Sequence, residues 1–299
     1  MSPDIYTGRY APSPTGPLHF GSLVAAVASY LDARIHQGRW LVRMEDLDKP
    51  REMPGAADDI LRTLEAYGFE WDGEVMYQSQ RHEAYEATLA QLIANGQVYS
   101  CNCSRREVAD IAHAGIEGPV YPGLCRDGLS RERDTVAWRF KTDAAHLLFR
   151  DRIQGQFDHR MQRDIGDFVL KRADGKFAYQ LAVVVDDAEQ NISHVVRGAD
   201  LLNSTSRQIL LQYSLQLPSP VYAHIPVATN LAGEKLSKQT GAEALSTDNK
   251  AQMLSRAFVF LGLNPPSELC HSSVDILWQW ANEHWQLEKV PSQTQLISD

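Results

Sequence analysis

Arg9-Tyr-Ala-Pro-Ser-Pro-Thr-Gly-Pro-Leu-His-Phe-Gly-Ser22 is the stretch around which the chain is built. It runs from the end of a short apolar strand, around Ile5 to Ala11, into a helix that begins near Phe20. Pro12, Pro14 and Pro17 fix φ and lack an N–H, so the segment cannot be helical or lie in mid-sheet. Gly16 and Gly21 permit tight turns and close backbone approach, and the helix that follows can aim its free N–H groups and positive dipole end at an anion. These residues describe a phosphate-facing strand, loop and helix with His19 set inside. The spacing is neither Gly-x-Gly-x-x-Gly nor that of a Walker loop, which excludes both of those readings.

Outward from this loop, Leu23 to Ile35 is apolar at helical intervals, and Trp40 to Met44 reads as a buried strand ending at Glu45-Asp46. Carboxylates there stand where open α/β sheets bind ligands. Pro54 to Tyr67 and His82 to Ala94 read as helices, the first opened by Pro54 and closed by Gly68. From Val98 the character changes, and Val136 to Gly166 is a run of short strands and turns. Phe168 to Arg172, an Asp174-Gly175 turn and Phe177 to Asp187 then resume apolar structure. Ile192 to Gly198 follows, with a helix from about Thr205 to Leu217 and a strand from Tyr222 to Ala228 that delivers a lysine-bearing loop at Lys235. Met253 to Leu261 and Val274 to Trp285 are helical patterns in a tail too short for a large independent domain.

The chain has 299 residues, 22% of them charged and 43% hydrophobic, with a formal net charge of −9. That acidity argues against indiscriminate nucleic-acid binding, which depends on neutralising phosphates, but leaves room for an RNA held by a local basic patch. Arg105-Arg106, Arg126, Arg131 with Arg133, and Arg150 with Arg152 are candidates for one. No apolar run approaches a membrane span, and the start has no charged region leading into an apolar one, so cytoplasmic localisation is expected. Three of the four cysteines, Cys101, Cys103 and Cys125, fall in one window. In a cytosolic chain such clustering favours a metal over a disulfide. Zinc takes four ligands, so three thiolates leave one place for Tyr121, His113 or water.

Arg9 to Ser22 resembles the first signature of class I glutamyl-tRNA synthetases, in which a His-x-Gly element follows Pro-Ser-Pro-Thr-Gly. Lys235-Leu-Ser-Lys-Gln239 resembles their second, Lys-Met-Ser-Lys-Ser, and lies downstream as that family requires. The resemblance implies an α/β protein with a class I synthetase-type, Rossmann-like nucleotide-binding fold. Residues 1–97 would form the first half of the catalytic domain and 98–166 a zinc-containing, acceptor-binding-like insertion. Residues 167–245 would form the second half with the lysine loop, and 246–299 a small helical C-terminal region. Activating a carboxylic acid with ATP means that its carboxylate attacks the α-phosphorus and expels pyrophosphate, so the site must stabilise charge on phosphate oxygens. His19, Lys235 and Lys238 are the expected catalytic groups, with Lys238 on the α-phosphate, Lys235 on the outer phosphates, and His19 and Gly21 against ATP. By the same resemblance Ala11 lines the glutamate site, Ser13 and Glu45 hold the amine, and Arg9, Tyr179 and Arg197 receive the side-chain carboxylate. These residue types suit the task, because arginine binds carboxylates bidentately and tyrosine adds an oriented donor.

Two departures stand out. Ser22 occupies the position of a second histidine in many class I enzymes, and the chain ends shortly after the lysine loop, where glutamyl-tRNA synthetases continue into an anticodon-reading domain. This outline resembles the glutamyl-queuosine tRNA(Asp) synthetase family, whose Cys-x-Cys and Tyr-x-x-x-Cys zinc pattern is matched by Cys101, Cys103, Tyr121 and Cys125. That match favours Tyr121 over His113 as fourth ligand. It implies ATP as substrate with Mg2+, one structural Zn2+, L-glutamate activated without tRNA, and queuosine-containing tRNA(Asp) as acceptor, in a monomer. A truncated conventional synthetase, a small nucleotidyltransferase and a non-catalytic glutamate or adenylate sensor are the competing readings. Because Lys238 would meet charge that appears only in the reacting phosphate, Lys238→Ala should abolish glutamate-dependent pyrophosphate exchange while glutamate binding, followed by calorimetry, stays nearly intact.

Overall fold

The structure, a computed structural model, describes residues 5–129, 135–144, 146–236 and 243–298. β1 (Thr7–Tyr10) passes through the proline-rich loop into α1 (Phe20–Ile35), and β2 (Arg39–Met44) returns parallel to β1 with Arg9 beside Leu41. α2 (Ala56–Ala66) leads to β3 (Met76–Tyr77), which pairs with the far side of β2, and α3 (His82–Ala94) follows. The helix expected from Pro54 begins two residues later. Gly55, its N-cap, takes a left-handed φ of 78° that a glycine adopts without strain, which leaves Pro54 in the preceding turn.

The middle of the chain holds β4 (Val98–Cys101), α4 (Arg105–Ile111), β5 (His113–Gly115), β6 (Gly118–Val120) and β7 (Ala137–Phe140). The hairpin of β8 (His146–Asp151) and β9 (Gly155–Arg160), then α5 (Met161–Asp164) and β10 (Phe168–Lys171), complete it. β4, β7 and β10 form an antiparallel sheet with β7 central. β10, expected with residues 167–245, is therefore hydrogen-bonded into one sheet with β4 and β7. The β8/β9 hairpin goes the other way, because Arg152 N at its turn donates to Tyr222 O at 2.9 Å and fastens it beside the strand that contains Tyr222.

α6 (Tyr179–Glu189), β11 (His194–Gly198), α7 (Thr205–Leu215) and β12 (Val221–Ile225) rebuild the parallel pattern, with β11 beside β12. β1 lies against the start of β11: Ser193 N donates to Thr7 O at 3.0 Å, and Thr7 N to Ser193 Oγ at 2.8 Å. The spatial order is thus β3, β2, β1, β11, β12, and chain direction reverses its progress between β1 and β11. A crevice beyond the carboxyl ends at that reversal is where such sheets take ligands. The single strand expected from Tyr222 to Ala228 is two, because Pro226, lacking an N–H, separates β12 from β13 (Val227–Thr229). β13 pairs instead with β14 (Gln295–Ile297), a strand the sequence pattern did not suggest.

Period-two alternation sends successive strand residues to opposite faces. Trp40, Val42, Met44, Val196, Ala223 and Ile225 pack with α1 and with α8 (Lys250–Phe260) and α9 (Val274–His284). Leu41, Val195 and Tyr222 face the other way, under α3, α6 and α7. The C-terminal helices are part of the first core, since Phe258 and Trp278 are buried and their rings meet edge to face at 5.7 Å. No helix among the described residues is long and apolar enough to cross a membrane.

Candidate active site

On the face covered by α6 and α7, the alternation that buries Leu41 and Val195 also buries Arg9, Arg43, Arg197 and His224. Buried charge must be paired, and α6 supplies the partners. Asp187 Oδ1 accepts from Arg43 Nη2 at 2.7 Å and from Arg9 Nε at 3.3 Å. Burial alone would raise the Asp187 pKa, but Arg9 and Arg43 hold it below the ordinary carboxylate value. Asp186 accepts from Arg81 Nε at 2.6 Å and from Gln78 Nε2 and Tyr85 OH at 2.8 Å each. Arg9, expected against a substrate carboxylate, therefore already spends its Nε–H on Asp187.

A cavity of about 490 Å³ opens at the strand ends, lined among others by Ala11, Ser13, Glu45, Gln78, Tyr179 and Leu201. Glu45 follows the end of β2 and is held there by its N–H donating to Pro12 O at 2.9 Å, so the proline-rich loop sets its position directly. Its Oε1 is buried and lacks a hydrogen-bond partner among the described residues, with Arg43 Nη2 no nearer than 3.7 Å. Burial pushes the Glu45 carboxyl up to about 7, against the pull of Arg43 and Arg9. Tyr179, the first residue of α6, receives Arg197 Nη1 on its hydroxyl at 3.3 Å. The cavity is thus lined both by Glu45 and by Tyr179, whose hydroxyl is held by the buried Arg197. Arg51 and Lys176 stand at the lining too, each paired with Asp48.

The two signature segments meet beside α1. His19 is the N-cap residue of α1, and a Cβ built on Gly21 would come within 3.3 Å of its ring and 3.8 Å of Leu236 O. Glycine at 21 leaves the imidazole room to fold back over the first turn. Leu236 N donates to Ala228 O at 2.8 Å, Leu245 N donates to Leu18 O at 2.9 Å, and His19 bridges Ala244. Both flanks of the lysine loop are therefore pinned beside the His19 loop. Lys235 forms an ion pair with Asp200, whereas Lys238 lies outside the described residues, as do Arg131 and Arg133.

Cys101, Cys103 and Cys125 place their sulfurs within 4.8 Å of one another. Tyr121 OH lies 3.4 Å from both Cys101 Sγ and Cys103 Sγ and accepts the Cys125 N–H at 3.0 Å. The Arg139 guanidinium sits 4.1 Å from the centre of the Tyr121 ring, a placement that favours an electron-rich phenol. The three sulfurs form a cluster that could hold a metal ion, with the Tyr121 hydroxyl beside it. His113 is elsewhere: its Nε2 is engaged with Arg163 O at 2.7 Å on the exposed surface. Two members of the expected basic patch are likewise spent internally, Arg126 on Asp167 and Arg152 on the fully buried Asp32.

Of the residues expected to bind glutamate, Ala11, Ser13, Glu45 and Tyr179 line one cavity, and Arg197 is buried beside Tyr179; the sequence reading gave no role to Arg43, Asp186, Asp187, Asp151 or His224. A charged residue inside an apolar strand, Arg43 in Trp40 to Met44, and an acidic pair on an apolar helix were the available signals.

Residues 6–268 match the family described as tRNA synthetases class I (E and Q), catalytic domain. The chain is 60% identical over 294 residues to the glutamyl-Q tRNA(Asp) synthetase of Dechloromonas aromatica, covering 98% of each protein. It is 57% identical to that of Chromobacterium violaceum, covering 98% of this chain and 97% of the relative. For the Neisseria meningitidis serogroup B protein of the same name the identity is 54%, covering 96% and 98%. The glutamate-tRNA synthetase of Elizabethkingia anophelis superposes with a TM-score of 0.80 at 24% identity, over 97% of this chain and 67% of that one. At that identity the likeness speaks to the fold.

Proposed function

The chain belongs to the class I tRNA synthetases of the E and Q type and, among them, to the glutamyl-Q tRNA(Asp) synthetases, which are ligase-type enzymes; on that premise we propose that it activates L-glutamate with ATP in the absence of tRNA and transfers the glutamyl group to queuosine at the wobble position of tRNA(Asp). The observation that supports the first half is a cavity lined by Glu45, whose buried Oε1 has no hydrogen-bond partner among the described residues, and by Tyr179, whose hydroxyl is held by Arg197. An α-ammonium at Glu45 and Ser13 and a side-chain carboxylate at Tyr179 and Arg197 would satisfy both ends of one amino acid, with Arg9 and Ala11 completing the wall.

In this reading the α-carboxylate of glutamate attacks the α-phosphorus of ATP, the bond to pyrophosphate breaks, and a mixed anhydride with AMP forms. His19, backbone at Gly21, Lys235 and Lys238 stabilise charge on the phosphates, with Mg2+ accompanying the triphosphate. Lys235 must leave Asp200 to do so. A hydroxyl of the acceptor then attacks the glutamyl carbonyl, its proton is lost, and AMP departs. Queuosine offers a cyclopentene diol resembling the vicinal hydroxyls of a terminal ribose, so a site built for a tRNA 3′ end can accept an anticodon base that is splayed out of its loop. We place the reaction in the cytoplasm and in a monomer.

The donor set of Cys101, Cys103, Cys125 and Tyr121 fits a zinc ion that ties β4 to the loop after β6. Its contribution would be structural, since four protein ligands leave no open position for water.

Three outcomes are expected. Labelled glutamate should pass to tRNA(Asp) containing queuosine, not to the same tRNA containing guanosine at the wobble position, and the label should survive removal of the 3′-terminal adenosine. Loss of the label with that adenosine would identify a conventional aminoacylating enzyme instead. Because Glu45 titrates near 7 and only its carboxylate receives an ammonium, glutamate affinity should be full above that value. It should weaken by about tenfold per pH unit below it, with a proton released on binding. Calorimetric titration across that range would reveal the slope, and Glu45→Gln should bind weakly and without it. Elemental analysis of protein purified without chelator should find one zinc per chain, lost on Cys101→Ser and retained on His113→Ala.

A further inference from the structure

Behind Arg197 lies a buried pair that the activation chemistry does not use. Asp151, the last residue of β8, and His224 of β12 are both fully buried, with His224 Nδ1 2.6 Å from Asp151 Oδ2. The other carboxylate oxygen, Oδ1, accepts three backbone N–H groups, from Gln154 at 2.9 Å, Ile153 at 3.0 Å and His224 at 3.1 Å. Burial would raise the Asp151 pKa, but His224 and those backbone donors hold it below the ordinary carboxylate range, so it is an anion that can only accept. The imidazole proton therefore sits on Nδ1. Burial drives His224 down to about 4, so the ring is neutral and its Nε2 is an acceptor.

That acceptor faces Arg197 Nε at 2.9 Å. The other nitrogens are also committed: Nη2 donates to Thr205 Oγ1 at 2.9 Å and Leu201 O at 3.3 Å, and Nη1 to Tyr179 OH at 3.3 Å. A guanidinium has five N–H groups in one plane, so among the described residues one Nη1–H is left over, on the edge where Tyr179 lines the cavity.

We propose that Asp151 and His224 are positioning residues for Arg197: the carboxylate locks the imidazole in its Nδ1–H tautomer, Nε2 captures the Nε–H of Arg197, and the Nη1 edge is turned with Tyr179 toward the side-chain carboxylate of glutamate. This rests on the reading that the cavity binds glutamate. Its consequence is selectivity. An Nη1–H donor beside a hydroxyl whose lone pair is already taken by Arg197 presents donors only, which suits a carboxylate and leaves the amide NH2 of glutamine facing another N–H.

Asp151→Asn tests this without a change of shape. Oδ1 must stay with its three backbone donors, so the new NH2 faces His224 Nδ1, which then has to accept. The ring proton moves to Nε2 and confronts the Nε–H of Arg197. Nitrogen NMR of the His224 ring should show the proton on Nδ1 in the wild-type protein and on Nε2 in Asp151→Asn. In glutamate-dependent pyrophosphate exchange, Asp151→Asn and His224→Leu should raise the glutamate KM about tenfold or more, as expected for a lost hydrogen bond to a charged group. The ATP KM should stay within about twofold, and preference for glutamate over glutamine should fall. His224→Gln, whose side-chain oxygen can reach the Nε2 position, should restore the glutamate KM.

A wild-type ring proton on Nε2, or an unchanged glutamate KM in Asp151→Asn despite an inverted tautomer, would overturn the proposal. So would a uniform loss in kcat and both KM values together with a lowered unfolding midpoint, which marks a purely structural role. Absence of glutamate-dependent exchange in the wild-type protein overturns the assignment of the cavity, and the proposal with it; exchange that all these variants leave untouched overturns the proposal alone.

Discussion

One carboxylate oxygen, Asp187 Oδ1, receives both Arg9 and Arg43, and the layout of the site depends on that contact. Two guanidinium groups buried side by side on adjacent strands repel each other and each bears a desolvation cost. With Asp187 between them, and Asp186 4.0 Å from Arg43, they become a rigid floor whose charge is largely compensated, and α6 is fixed in rotation because its acidic pair must point at the sheet. That rotation places Tyr179, at the start of the same helix, over the cavity. Removing the Asp187 carboxylate would take from Arg9 its carboxylate partner and from Arg43 its shortest one, so the loss would reach the fold and the site together.

The same alternation explains why one sheet serves two purposes. Residues facing α1, α8 and α9 are aromatic and aliphatic, and that side is core. Residues facing α6 and α7 become polar toward the carboxyl ends of the strands, where Arg43, Arg197 and His224 follow Leu41, Val195 and Tyr222 by two residues each and Arg9 lies beside Leu41. Polarity on that face is confined to the end where a ligand can supply the missing partner. The reversal of strand order between β1 and β11 opens the crevice at the same place.

Local pattern carried the sequence reading a long way. The proline-rich loop, the bounds of α3, the cysteine window and the two signature segments are all set by residues close together in the chain, where φ restriction, periodicity and spacing can be read directly. The failures share a different cause. Arg43 with Asp187 and His224 with Asp151 are pairs 144 and 73 residues apart, and nothing local says which distant carboxylate answers a buried cation. Arg126 and Arg152 read as surface charge for the same reason, since their partners Asp167 and Asp32 are supplied by other elements. β14 escaped notice because three residues, one polar and two apolar, are too few to have a periodicity of their own.

β13 is held on one side by β14 and on the other by the segment that begins the lysine loop, through the Thr229–Lys235 bridge and the Leu236 N to Ala228 O bond. Ser298 N closes the arrangement by donating to Thr229 O at 2.9 Å. The last described residues thus form a splint along the base of the segment that carries Lys235. An affinity handle or fluorescent fusion appended there would emerge beside that base and tug on it, whereas one placed ahead of Ile5 would leave the splint alone. Anyone immobilising or labelling this protein should therefore attach it by its amino-terminal end.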